Sequence, residues 1–205
     1  MNYIFTKNNG LYCLIEFFTV TVQRKTRWYL LIFVSVFFTQ HVNSQNYYCN
    51  SSVPFCTNET ITFPAVVGVP DAEPGPDYGC IEPNPGISVP NPTWFHMKIA
   101  SSGDISIFMY SDLGMDIDFI CWGPFSDPYA PCTAQLTGDK IVDCSWSGNS
   151  TETCVIPNGL VGEYYILLIT NWSNQAHNIT FSKTSGTGET DCGIIEPEAN
   201  NNGPI

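Results

Sequence analysis

Eight cysteines follow residue 44: Cys49, Cys56, Cys80, Cys121, Cys132, Cys144, Cys154 and Cys192. This even set limits what the chain can fold into more than any other feature. In a short exported domain it reads as a disulfide framework. A metal centre is the competing reading, but no CxxC pair occurs, and the only histidines in this part are His96 and His177. Four disulfides are therefore expected. Loop length suggests Cys49 with Cys56, Cys121 with Cys132 and Cys144 with Cys154, which leaves Cys80 with Cys192 to tie the domain's beginning to its end. Each short staple would contribute roughly 2–3 kcal/mol.

The N-terminus supplies the oxidising compartment that such a framework needs. "RKTR" at positions 24–27 precedes the 11-residue apolar run from Trp28 to Phe38, and Val42 and Ser44 provide the small residues of a cleavage site. Residues 1–44 read as an N-terminal extension plus a secretory signal cut after Ser44. The apolar run is too short to cross a bilayer as a helix. The 23 residues before Arg24, with the patch "LYCLIEFFTVTV", fit a start site placed too far upstream.

Removing this segment changes the charge balance. Lys98, Lys140 and Lys183 then stand against 18 acidic residues, for a net charge near −15. That excludes nucleic acid and anionic membrane as partners and makes cations the natural counterparts.

Between Cys49 and Pro92, stretches such as "GVPDAEPGPDYGC" are too rich in Pro and Gly for a helix or a central strand. An ordered loop wrapping the core, pinned by Cys80 and holding one short strand at "TITFP", is expected. From Trp94 onward the period is two. Phe95, Met97 and Ile99 alternate with Trp94, His96 and Lys98, giving one apolar and one mostly polar face. "DISIFMY", "ETCVIP" and "HNITFSK" are strands of the same kind, and "EYYILLIT", apolar on both faces, reads as a central covered strand. Turn signals fall between them, and no helical period appears. About eight strands over residues 45–192 give an all-β, antiparallel, two-sheet sandwich of jelly-roll type stapled by disulfides. Residues 193–205 read as a linker-like tail.

The stretch "SDLGMDIDFICWGPF" holds the candidate chemistry. Ile117, Phe119 and Cys121 share one face of a strand, opposite Asp116, Asp118, Ile120 and Trp122. Asp116 and Asp118, two apart, have Cα atoms roughly 6.6 Å from each other and can converge on one hard cation. Such an ion needs about six to eight oxygens, which Asp112 and Asp143 would help to supply. Calcium is the expected ion, and a solvated strand edge is the alternative. Among the aromatic residues, Trp122 and Trp172 lie next to turns and are the candidates for contacting a glycan or a protein surface.

Evidence for catalysis is lacking. No GxSxG, HExxH or Gly-rich phosphate loop occurs, and His96 and His177 are expected to be merely exposed. A carboxylate-dependent hydrolase is the least favoured class. Five N-x-S/T sequons, at Asn50, Asn58, Asn149, Asn171 and Asn178, would mark surface loops in a glycosylating host.

The ordered set "DIDFICWGPF", "DCSWS", "YYILLITNWSN" and "GTGETDC", within Phe55 to Cys192, resembles a module of secreted and cell-surface proteins of Bacteroidota. Such proteins often carry gliding-motility or type IX secretion sorting domains. The module is similar to pre-peptidase C-terminal and P-domain-like β-sandwiches. The resemblance implies a non-catalytic binding or adhesive domain at the cell surface, or an accessory substrate-binding module of a secreted peptidase or glycosidase. Some such modules bind calcium, which points at Asp116 and Asp118, and less directly at Asp143.

Overall fold

The computed structural model describes residues 46–82 and 88–195, all within one compact unit, Ser44–Ile205. The expected signal segment, residues 1–44, lies outside the described residues, as does the tail beyond Ile195.

Among the described residues, ten strands form two sheets. They are β1 (Val53–Pro54), β2 (Ile61–Pro64), β3 (Pro92–Ser101), β4 (Gly103–Ser111) and β5 (Asp118–Phe125), followed by β6 (Ile141–Ser145), β7 (Thr151–Gly159), β8 (Tyr164–Thr170), β9 (Asn178–Ser185) and β10 (Glu189–Thr190). The first sheet runs β1-β3-β8-β5-β6, with β10 also on β3, and the second runs β2-β9-β4-β7. Every pairing is antiparallel except that of β1 with β3. One four-residue helix, α1 (Pro131–Ala134), interrupts the β5–β6 connection. The protein is an all-β sandwich stapled by disulfides.

Period-two alternation fills the space between the sheets. Phe95, Met97 and Ile99 from β3, Ile105, Ile107 and Met109 from β4, Phe119 and Cys121 from β5, and Cys154 and Ile156 from β7 all enter one inner core. Phe181 on β9 sits at its aromatic centre, 4.7 Å from both the Phe55 and the Phe95 ring.

The other face of the first sheet is covered too. Trp94, Ile120, Trp122, Ile166 and Leu168 point away from the inner core and pack with Tyr78, Ile81, Val89 and Leu136 in a second apolar layer. The Pro/Gly-rich segment before β3 thus covers a sheet face, as its composition implies. Gly79 turns there with φ +53°, a conformation that side chains with a Cβ rarely adopt. β8, paired with β3 on one side and β5 on the other, is buried on both faces.

This covering layer corrects one expectation. The face carrying Trp94 and His96 is not polar, and both histidines are buried, His96 at 3% and His177 at 7% exposure. His96 Nδ1 lies 2.9 Å from Ser52 Oγ, with its ring edge-on to Tyr129. His177 Nδ1 pairs with the Gln175 carbonyl. Alternation within a strand carries no information about a distant segment laid across it. The Asn171 sequon is likewise not a surface mark, because its side chain is 1% exposed and donates to the carbonyls of Val66 and Gln175.

The disulfides are also corrected. Among the described residues they are Cys49–Cys132, Cys56–Cys192 and Cys80–Cys144, with Cys121 and Cys154 as buried thiols. None of the three short-loop pairings forms, nor does Cys80–Cys192. Loop length measures proximity along the chain, whereas the bridges close separations of 64 to 136 residues. Cys80–Cys144 pins the covering segment to β6, so Cys80 does the pinning expected of it through a different partner.

Candidate binding site at one end of the sandwich

The chain enters β5 through a turn that presents Asp116 and Asp118 to two neighbouring loops. Asp118 is the first residue of β5, on the same face as Ile120 and Trp122, and is only 1% exposed. Its Oδ1 accepts the backbone N–H of Ser147 at 2.8 Å, from the loop that follows β6. Asp116 donates its backbone N–H to Ser173 Oγ at 2.7 Å, in the loop that follows β8. Ser147 Oγ in turn donates to Glu152 Oε1, on β7, at 2.6 Å. Three carboxylates are thereby drawn to one end of the sandwich.

The electrostatics follow from this crowding. Asp118 Oδ2 and Asp116 Oδ1 are buried without a hydrogen-bond partner. Burial, reinforced by the charges of Asp116 and Glu152, pushes the Asp118 carboxyl up to about 7, although the Ser147 N–H opposes the shift. Asp116 is raised in the same sense, chiefly by burial and then by Glu152. An orphaned carboxylate oxygen is costly and calls for a proton or a cation.

Two indoles flank this acidic entry. Trp146 directly precedes Ser147, and Trp172 directly precedes Ser173. Their rings meet edge to face, with centroids 6.1 Å apart and planes at 65°. Trp146 is 48% exposed and Trp172 half-buried. The hydrogen bonds from Ser147 and Ser173 fix both loops against the start of β5, so the aromatic pair and the carboxylates are held as one feature.

Of the residues expected from sequence, the structure brings together Asp116, Asp118 and Trp172. Asp112 stands apart, with its carboxylate taken up by the backbone and side-chain N–H groups of Asn178, which hold it below the usual carboxylate range. Asp143 is also engaged elsewhere, accepting the N–H groups of Cys144 and Val155. Neither joins the pair, and among the described residues no three His, Cys, Asp or Glu side chains are arranged as a ready metal shell.

Trp122 is fully buried and cannot offer a ring face to a ligand. It stacks on Trp94 and donates its indole N–H to the Asp77 carbonyl. Trp146 and Glu152 are the residues that sequence reasoning passed over. Trp146 had a visible signal in the polar run "SWSGNS" beyond a strand, whereas Glu152 had none, because it reaches the site from the opposite sheet.

No family model matches the chain, and no curated protein matches it. Among solved structures it is similar to the pre-peptidase C-terminal domain of collagenase from Bacillus anthracis. The TM-score is 0.38 and the identity 12%, over 65% of this chain and 94% of that one.

Proposed function

We propose that the domain is a non-catalytic binding module working outside the cytoplasm, whose contact face is the Trp146–Trp172 pair beside Asp116 and Asp118. One observation carries this reading: a half-exposed indole pair is anchored by hydrogen bonds to a buried acidic entry. A glycan fits the combination best, because a ring face stacks on sugar C–H groups while nearby carboxylates accept hydroxyl hydrogens. An accessory role, holding a glycan-bearing substrate for a secreted peptidase or glycosidase, uses the same face. A protein surface rich in Lys and Arg is the second reading, favoured by the excess of acidic residues.

The compartment follows from the same chemistry. Three disulfides suggest an extracellular module, and among the described residues no helix is long and apolar enough to cross a membrane. The disulfides, together with the signal read at residues 1–44, support a secreted or cell-surface location.

Calcium is assigned as a stabiliser at Asp116 and Asp118. Their orphaned oxygens are hard donors that lack a positive partner, and Glu152 stands close enough to add charge. The side chains present would fill only part of a calcium shell, so water or ligand oxygens would complete it.

The test is glycan-panel binding and thermal melting, each in chelator and in millimolar calcium. The expected result is binding that falls on Trp146→Ala, with a calcium-dependent rise in melting temperature that Asp116→Ala removes. An unchanged melting temperature would discard the calcium assignment. Glycan binding that Trp146→Ala leaves untouched would discard the face.

A further inference from the structure

We propose that Cys121 and Cys154 are joined in the exported protein by a fourth disulfide, one that crosses the inner core from one sheet to the other. The pairing rests on where the folded chain brings these two residues.

Cys121 lies in the middle of β5, in the first sheet, and Cys154 lies on β7, in the second. Each is fully buried, and both belong to the same inner core. A bridge between them would therefore be an inter-sheet bond, of the kind that sandwich folds can hold without strand rearrangement.

Two independent contacts bring the residues together. Asp143 on β6 is the cross-strand partner of Cys121, and its Oδ2 accepts the backbone N–H of Val155 at 2.7 Å. The chain beside Cys154 is thus tied to the strand that flanks Cys121. β5 and β7 also approach each other directly within this core. The six other cysteines after residue 44 are already paired, so the new bond requires no exchange among them.

The chemistry balances with an external disulfide as oxidant. One thiol loses its proton and attacks that disulfide, forming a mixed disulfide and expelling one external thiolate. The second cysteine, deprotonated in turn, attacks the mixed disulfide at the protein sulfur and expels the other external thiolate. Two S–H bonds are lost and one S–S bond is made, and the two electrons given up by the cysteines reduce the external disulfide to two thiols. Once the core is closed, the neighbouring Cys121 thiol and then burial push the Cys154 thiol well up, so little thiolate is available. The bond must therefore form before the sheets seal.

The experiment refolds the full reduced chain in mixed oxidised and reduced glutathione. The product is then unfolded in guanidinium with an alkylating reagent and no reductant, digested, and mapped by mass spectrometry, so that Cys13 is scored separately. The expected map holds the three disulfides already described, a cross-linked Cys121–Cys154 peptide, and no alkyl label on any cysteine after residue 44. Recovery of the three with both Cys121 and Cys154 labelled would overturn the proposal, as would Cys121 bridged to any other cysteine. Cys154→Ala provides a second reading: label at Cys121 should go from absent to complete, and equal labelling in parent and variant would also overturn it.

Discussion

Trp94 and Trp122 stack with ring centroids 5.6 Å apart and planes inclined by only 14°, on the side of the first sheet that faces away from the other sheet. The contact makes the outer layer a true core rather than a loop resting on a surface. Trp122→Ala should therefore lower stability by about 3–5 kcal/mol through lost burial and the cavity left behind. Denaturant unfolding measures the loss, and glycan binding by the folded fraction should be unchanged.

Asp118 gives the domain a pH dependence of defined sign. Its carboxyl moves from an ordinary 3.8 to about 7 on folding, so the folded state holds a proton that the unfolded chain releases. Stability from this group is complete below about pH 4 and is lost as pH rises through 7. In chelator, Asp118→Asn should gain roughly 2–4 kcal/mol over wild type at pH 8 and nothing at pH 3.5. His96 acts in the opposite direction, because burial lowers its pKa below 6.5 and its contribution declines as pH falls. Taking the difference between variant and wild type across pH cancels the histidine. A difference that does not vary with pH would refute the ionisation argument.

Trp146 and Trp172 should separate binding from stability. The first is 48% exposed, so Trp146→Ala should change unfolding free energy by no more than about 0.5 kcal/mol. Its effect on glycan affinity should exceed about tenfold, or roughly 1.4 kcal/mol. Trp172 is half-buried and should show losses in both measurements. Calorimetric titration beside denaturant unfolding reads the two quantities on the same preparations.

The Cys80–Cys144 bridge closes a separation of 64 residues. Replacing both cysteines by alanine should remove about 4 kcal/mol on the loop-entropy account. Hydrogen exchange should locate the loosening first in residues 72–82, which cover the outer face, with β4 and β9 protected longest.

The sequence was legible wherever the signal was local. Alternation placed β3, β4, β5, β7 and β9, and an unbroken apolar run marked β8 as central. Within the site, Asp116 and Asp118 could be read because their spacing is a property of one strand. Trp122 misled because its position beside a turn is visible in the sequence while Tyr78 and Trp94, which enclose it, are distant. The strand β6 and the short β1 and β10 carry too few residues to show a period. Disulfide pairing was hidden for the most basic reason, since strand order, not loop length, decides which sulfur atoms meet.

Cys56 and Cys192 are bonded across 136 residues, and the pairing of β10 with β3 lies beside them. Tension applied to the chain outside these two cysteines would pass through one covalent bond and, among the described strands, would load β1 alone. A domain clasped in this way can be tethered under load with β2 to β10 spared the force. Its binding face would keep its shape while the molecule is pulled.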